Sequence, residues 1–255
     1  MMRKVIGILQ ARTDSTRLPH KVLLPILNTP MIIHQLQRVS RSKKLDRLIL
    51  ATSDQESDNT LAKTVKAYGF ECFRGNKDDV LARFYALCKS LDLRKDDLIV
   101  RLTGDCPLHD PSIIDELIDF FTAQNVDYAA NCIDPVYPDG FDAEVFTFEA
   151  LEKAFNTAVK PSDREHVTPF IYHSGLFKTK NIHKDVKMDH LRLTVDEEDD
   201  FILVSAIFKH FSHNHFTYKE IIRYLSEHQE LAQLNAHIKR NEGYQKSLLE
   251  DIQKT

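Results

Sequence analysis

What the chain lacks narrows the possibilities first. No apolar run approaches the roughly 18 residues of a membrane-spanning helix, so membrane insertion is not expected. The opening residues, MMRKVIGILQAR, hold too short an apolar stretch for a secretory signal and run straight into a basic loop. There is no surplus of positive charge; the formal net charge is −4. A general nucleic-acid binder is usually basic, so nucleic acid is not an expected partner and any anion site must be local. The cysteines are Cys72, Cys88, Cys106 and Cys132, with no C-x-x-C pair among them. Buried thiols in a reducing cytoplasm are expected in place of disulfides or zinc. Glycine is scarce at 7 residues and charged residues make up 28%, which argues against disorder. Two phosphate-binding signatures, G-x-x-x-x-G-K-[ST] and G-x-G-x-x-G, are absent.

What is present suffices for a sizeable core. The 255 residues are 42% hydrophobic and fit one α/β domain over residues 1–255. Its core is expected at about 3–211, with a C-terminal helical extension at about 217–255. Strands are predicted over residues 5–11, 48–51, 71–73, 98–102, 127–131, 143–146 and 190–195. Helices are predicted over 31–42, 60–68, 79–91, 112–121, 148–158, 162–173, 198–211 and 219–240. Gly69 stops the second helix, Asp78 or Asp79 caps the third, and Ser112 caps the fourth. Ser162 or Asp163 caps the sixth, which Pro169 limits, and residues after about 243 are expected to fray. Strand and helix alternating in this way imply right-handed crossovers and a mainly parallel sheet flanked by helices. Ligands of such sheets bind beyond the carboxyl ends of the strands. The basic loop after the first strand, TSD at 52–54 and GDCP at 104–107 are therefore expected on one edge.

Three segments carry candidate chemistry. In ARTDSTRLPHK, residues 11–21, Arg12, Arg17 and Lys21 stand among hydroxyls. Arginine offers a fork of donors to phosphate oxygens and lysine a point charge, so the loop reads as an anion cradle or as a solvated surface loop. In VRLTGDCPLHDP, residues 100–111, Asp105 follows a strand. A carboxylate there suits Mg²⁺ completed by substrate oxygens, the alternative being a turn cap. In LRLTVDEEDDFILV, residues 191–204, Asp196 ends a strand and is a second candidate metal ligand. Residues 197–200 decorate the first turn of a helix, where the dipole favours negative charge. His210, His213 and His215 read as a surface turn, while His166 keeps company with Arg164 and Glu165.

Together these segments resemble the sugar-activating cytidylyltransferases, the group of CMP-Kdo and CMP-sialic acid synthetases. The family loop runs roughly A-R-x-x-S-x-R-L-P-x-K, and Ala11, Arg12, Ser15, Arg17, Leu18, Pro19 and Lys21 match it. GDCP resembles the family's G-D-x-P, and VDEEDD its V-D-T-x-E-D. DDVLARF at 78–84, YPDGFDAEVF at 137–146 and REHVTPFIY at 164–172 look like the SpsF branch, named for spore-coat polysaccharide synthesis. The resemblance spans about residues 5–211. It implies a Rossmann-like nucleotidyltransferase fold and transfer of CMP from CTP to an acidic, nonulosonic acid-like sugar, with release of pyrophosphate, in surface polysaccharide synthesis. By it Arg12, Arg17 and Lys21 hold the triphosphate, and Leu9, Ala11, Ser15, Arg83 and Thr103 complete the nucleotide site. Asp105 and Asp196 would hold Mg²⁺, with Arg12, Lys21 and Asp105 catalytic. The acceptor would meet Asp142, Glu144, Arg164 and His166, Arg164 taking its carboxylate. A homodimer is implied as well, and the cysteine usage with no signal or membrane-spanning run leads to the expectation of a cytoplasmic protein.

The chain departs from the pattern at Thr103, where CMP-Kdo synthetases have glutamine, and at Glu197, where the family has threonine. Base choice and acceptor stay open on that account. A glycosyltransferase of similar fold would carry an Asp-x-Asp metal motif, but position 107 is proline. A non-catalytic nucleotide binder is the other alternative, and the presence of Arg12, Lys21, Asp105 and Asp196 together speaks against it.

Overall fold

The computed structural model describes residues 3–185 and 187–253. Its centre is strand β1 (Val5–Gln10), whose Ile6, Ile8 and Leu9 are all buried. A strand apolar on both faces must be covered on both, and the chain does this with two helical layers. After a short hairpin, β2 (Pro25–Ile26) and β3 (Thr29–Pro30), come α1 (Met31–Val39), β4 (Arg47–Ser53), α2 (Asn59–Ala67), β5 (Glu71–Gly75) and α3 (Val80–Ser90). Next are β6 (Leu98–Thr103), α4 (Pro111–Ala123), β7 (Tyr128–Ala130), β8 (Glu144–Thr147), α5 (Phe148–Thr157), α6 (Pro161–His166), α7 (Pro169–His173) and β9 (Thr179–Asn181). The chain closes with α8 (Glu198–Phe211), α9 (Tyr218–Glu227), α10 (Gln229–Gln233) and α11 (Glu242–Gln253).

The main sheet has the order β5-β4-β1-β6-β8-β7-β9. Only β8 runs against the rest: it is antiparallel to both β6 and β7, while the other pairings are parallel. The two-residue period of β1 divides the core. Leu9 joins the layer of α1, α2, α4, α8 and α9, and Ile6 and Ile8 join that of α3, α5 and α7. Each such buried aliphatic contributes about 1.5–3 kcal/mol relative to exposure. Arg38 pins the first layer from within. Its guanidinium donates to the carbonyls of Leu108, His109, Asn214 and Phe216. Among the described residues no helix is long and apolar enough to cross a membrane.

Several predicted elements shift. Asp110, not Ser112, caps α4: its carboxylate accepts from the Ser112 amide at 2.8 Å, with Pro111 in the first turn. The helix predicted over 162–173 is two, α6 and α7, parted at Val167 with φ 72°. The helix predicted over 219–240 divides into α9 and α10 at His228, whose ψ of 64° is not helical. Residues 190–195 are not a strand. Their amides turn to loops instead, Leu193 to the Asp139 carbonyl at 2.6 Å and Val195 to the Asp105 carbonyl at 2.7 Å, and only an isolated bridge joins Asp139 and Arg192. The segment expected to fray after residue 243 is α11, anchored on α6 through Ser162 and Asp251.

Candidate active site

The loop after β1 is built to stand up at the sheet's carboxyl edge. Thr13 donates its amide and hydroxyl to Asp58, at 2.8 and 2.7 Å. Asp58 also accepts from Ser53 at the end of β4, so two strand ends share one buried carboxylate. Burial alone would raise the Asp58 pKa, but the Ser53 and Thr13 hydrogen bonds hold it below its usual value.

This anchoring carries Lys21 into the centre. The side chain is nearly buried, and its ammonium donates to the Val195 carbonyl at 2.7 Å and to Asp196 at 2.8 Å. Asp105 stands 4.0 Å away. Asp196 meets Arg17 at 3.1 Å and Arg192 at 3.0 Å as well. Burial pushes the Asp196 carboxyl up, yet Lys21, Arg17 and Arg192 overcome it and hold it down to about 2. Arg17 also meets Glu197 and Glu242, both at 3.2 Å. Arg12 pairs with Asp14 at 3.1 Å and approaches Glu165 at 3.9 Å.

Two cavities meet at this cluster, sharing Arg17, Arg101, Thr103, Asp105, His166, Asp196, Glu242 and Gly243. The larger, about 580 Å³, is lined by Ala11, Arg12, Ser15, Lys21 and Arg83. The other, about 420 Å³, is lined by Asp139, Asp142, Glu144, Tyr172, Arg192 and Tyr244. The predicted nucleotide residues thus converge on the first, with one exception. The Leu9 side chain is wholly buried in the core and faces neither cavity. Arg83 is 2% exposed and donates to the Asn76 carbonyl, while its Nε has no partner. Burial, then the charge of Arg12, lowers its pKa to about 10.

Of the predicted acceptor residues, Asp142, Glu144 and His166 line the second cavity and Arg164 lines neither. The Arg164 guanidinium is committed elsewhere: to Asp79 at 2.7 Å and to the carbonyls of Phe155 and Ala158. It braces the cap of α3 against α5 and α6. Glu144 accepts from Tyr128 at 2.5 Å and Thr168 at 2.6 Å, and is paired with Arg101. Asp142 is paired with Arg240, and Asp139 with Arg192 at 2.9 Å. Burial and the neighbouring Asp142 charge push the Asp139 pKa up to about 7. Burial lowers that of His166, whose Nε2 lies 3.0 Å from the Ser247 hydroxyl.

Arg101, Asp139, Arg192 and Tyr244 escape the sequence reading. The two arginines do leave a signal there. Each interrupts an apolar run whose burial obliges a cation to find a carboxylate.

Among the described residues, no group of three or more His, Cys, Asp or Glu is assembled to hold a metal ion. Mg²⁺ needs none, since it is commonly held by one or two carboxylates plus substrate phosphates. Asp105 fits that requirement: its side chain is 30% exposed, at the junction of the cavities.

Comparison with known proteins agrees with this architecture. The cytidylyltransferase family profile matches residues 6–247. An uncharacterised protein of Methanocaldococcus jannaschii is 38% identical, over 92% of this chain and 96% of its own. The spore coat polysaccharide biosynthesis protein SpsF of Bacillus subtilis is 33% identical, over 82% of this chain and 88% of its own. An 8-amino-3,8-dideoxy-manno-octulosonate cytidylyltransferase of Shewanella is 32% identical over 59% of this chain and 55% of its own. Among solved structures, a cytidylyltransferase from Leptospira borgpetersenii superposes with a TM-score of 0.85 at 30% identity, covering 91% of this chain and 98% of that one. With a mainly parallel sheet, a cationic loop at its carboxyl edge and a profile match over nearly its whole length, the chain belongs to the cytidylyltransferase family.

Proposed function

We propose that the protein transfers CMP from CTP to a hydroxyl of an acidic sugar of the nonulosonic or octulosonic class, releasing pyrophosphate, as a step in surface glycan synthesis. The observation that carries this reading is Lys21, which lines the larger cavity, nearly buried beside Asp105 and Asp196, the two carboxylates where the cavities meet. The relative that acts on an amino-octulosonate and the SpsF relative support it.

In this reading CTP occupies the larger cavity, with Arg12, Arg17 and Lys21 on its phosphates. Asp105 and Asp196 would hold Mg²⁺, which supplies charge neutralisation at the phosphate oxygens when bound. The acceptor lies in the second cavity, its hydroxyl aimed across the junction. A bond forms from the acceptor oxygen to the α-phosphorus, the bond to the pyrophosphate oxygen breaks, and the hydroxyl proton is released. Charge gathers on phosphate oxygens in such a step, so prepositioned cations and alignment do most of the catalysis. In an ulosonic acid the carboxylate sits on the anomeric carbon beside the attacking hydroxyl. Its cationic partner would then be Arg17, which lines both cavities, and the hydroxylated remainder would face Asp142, Glu144 and His166. A homodimer is part of the proposal.

The test is pyrophosphate release with Mg²⁺ and each of CTP, UTP, ATP and GTP, against nonulosonic acids, Kdo and neutral sugar phosphates. Release with CTP and one sugar acid is expected. Turnover only with another nucleotide, or only with neutral acceptors, overturns the assignment. Asp105→Asn is expected to lower turnover about 10²-fold or more, with the melting temperature kept, on the scale of losing one charge-stabilising group.

A further inference from the structure

Helix α11 borders both cavities yet is only lightly held. None of its side chains is fully buried, and Leu249 and Ile252 are exposed. Its attachments are polar. Asp251 accepts from the amide and hydroxyl of Ser162, at 3.2 and 2.5 Å. The Ser247 hydroxyl donates to Glu165 at 2.9 Å. At the helix start, Glu242 meets Arg17 at 3.2 Å. An element with few buried apolar contacts opens at low free energy. Glu242 lines both cavities, Tyr244 and Gln245 the acceptor cavity, and Lys246, Ser247 and Glu250 the nucleotide cavity. The Tyr244 ring stands edge-on to His166 at 5.1 Å.

Three carboxylates compete for Arg17: Asp196 at 3.1 Å, and Glu197 and Glu242 at 3.2 Å. Glu242 is the most exposed of them, at 45%, and the one that belongs to α11. An exposed ion pair is weak, whereas a triphosphate presents several oxygens to the arginine fork.

We propose that the Arg17–Glu242 pair is a latch: the triphosphate of CTP draws Arg17 away from Glu242, the start of α11 lifts from the acceptor cavity, and the acceptor enters after the nucleotide. The inference rests on the CTP reading above. CMP has no β- or γ-phosphate and leaves the latch closed. Asp251 keeps the far end of α11 on α6, so the helix swings rather than departs.

Amide hydrogen exchange over residues 245–253 tests this on the full chain, with no nucleotide, with CMP, and with CTP and Mg²⁺. CTP is expected to speed exchange there about threefold or more, and CMP to leave it within about twofold. Glu242→Gln is expected to show the faster exchange without nucleotide and to bind CTP about two- to fivefold more tightly, the scale of one exposed pair. Calorimetry records CTP binding separately. Bound CTP that leaves exchange unchanged, CMP that matches CTP, or Glu242→Gln indistinguishable from the parent each overturns the latch. CTP that does not bind overturns the nucleotide assignment itself, and the latch with it.

Discussion

Replacing Gly140 by alanine probes how the wall of the smaller cavity is held together. Gly140 has φ +112°, a conformation L residues rarely adopt. A Cβ there would stand 2.5 Å from the Leu193 carbonyl carbon and 2.6 Å from the Leu193 oxygen and the Thr194 nitrogen. All three are backbone atoms, which have no rotamer to escape into. The strained backbone costs about 1–3 kcal/mol and the overlap about 1–3 kcal/mol more. The combined loss, about 2–6 kcal/mol, is a large share of a typical domain's stability of about 5–15 kcal/mol. Gly69 supplies the control: its φ is +83°, and a Cβ there meets nothing within 4 Å. Gly69→Ala should therefore carry the backbone cost alone, and the difference between the variants isolates the overlap. In urea denaturation, Gly140→Ala is expected to lose about 1–3 kcal/mol more than Gly69→Ala. Pyrophosphate release should fall further than the folded fraction, because the displaced Leu193 segment also carries Arg192, the partner of Asp139 and Asp196. Equal losses for the two variants would refute the reasoning.

Two further outcomes follow from buried polar groups. Glu144→Gln removes the carboxylate paired with Arg101, whose side chain is only 12% exposed, and should cost about 3–5 kcal/mol in urea denaturation; a loss under about 1 kcal/mol would show that Gln10, 3.0 Å from the Arg101 Nε, compensates. Burial lowers the His109 pKa from 6.5 to about 4, with its Nε2 hydrogen donated to the Asp142 carbonyl at 2.9 Å. The unfolded chain takes up that proton below pH 6.5 and the native protein only near 4, so this contribution is complete above pH 6.5 and is lost as pH falls towards 4. Its full size is about 3 kcal/mol. Unfolding free energies from pH 4 to 7 should therefore slope less steeply in His109→Gln, and parallel curves would count against a neutral buried imidazole.

The parallel part of the fold is legible in the sequence because β1, β4 and β6 are short runs that must be buried on both faces. The reversal of β8 is not, since Glu-Val-Phe-Thr reads alike in either direction. Residues 190–195 show why alternation can mislead. Leu193 and Val195 are indeed fully buried, but alternation reports which side chains face the core and says nothing of which amides pair. Helix α11 falls within the helical extension expected over about 217–255, but its anchoring escapes notice because its grip runs through Glu242, Ser247 and Asp251, and polar contacts leave no apolar period. At the site, residues 11–21 foretell their own placement, since three cations after a core strand have one edge to occupy. Arg164 does not, because a free guanidinium and one spent on Asp79 look the same in a string of letters.

The direction of β8 has a consequence for redesign. Because β8 enters the sheet against the grain, its first residue, Glu144, stands at the carboxyl edge of the parallel strands, and residues 131–143 cross that edge to reach it. The ladders among β4, β1 and β6 form without that crossing. Residues 131–143 are therefore a natural unit for grafting: exchanging them between relatives would recast the smaller cavity while the strands leading to Lys21 and Asp105 keep their register.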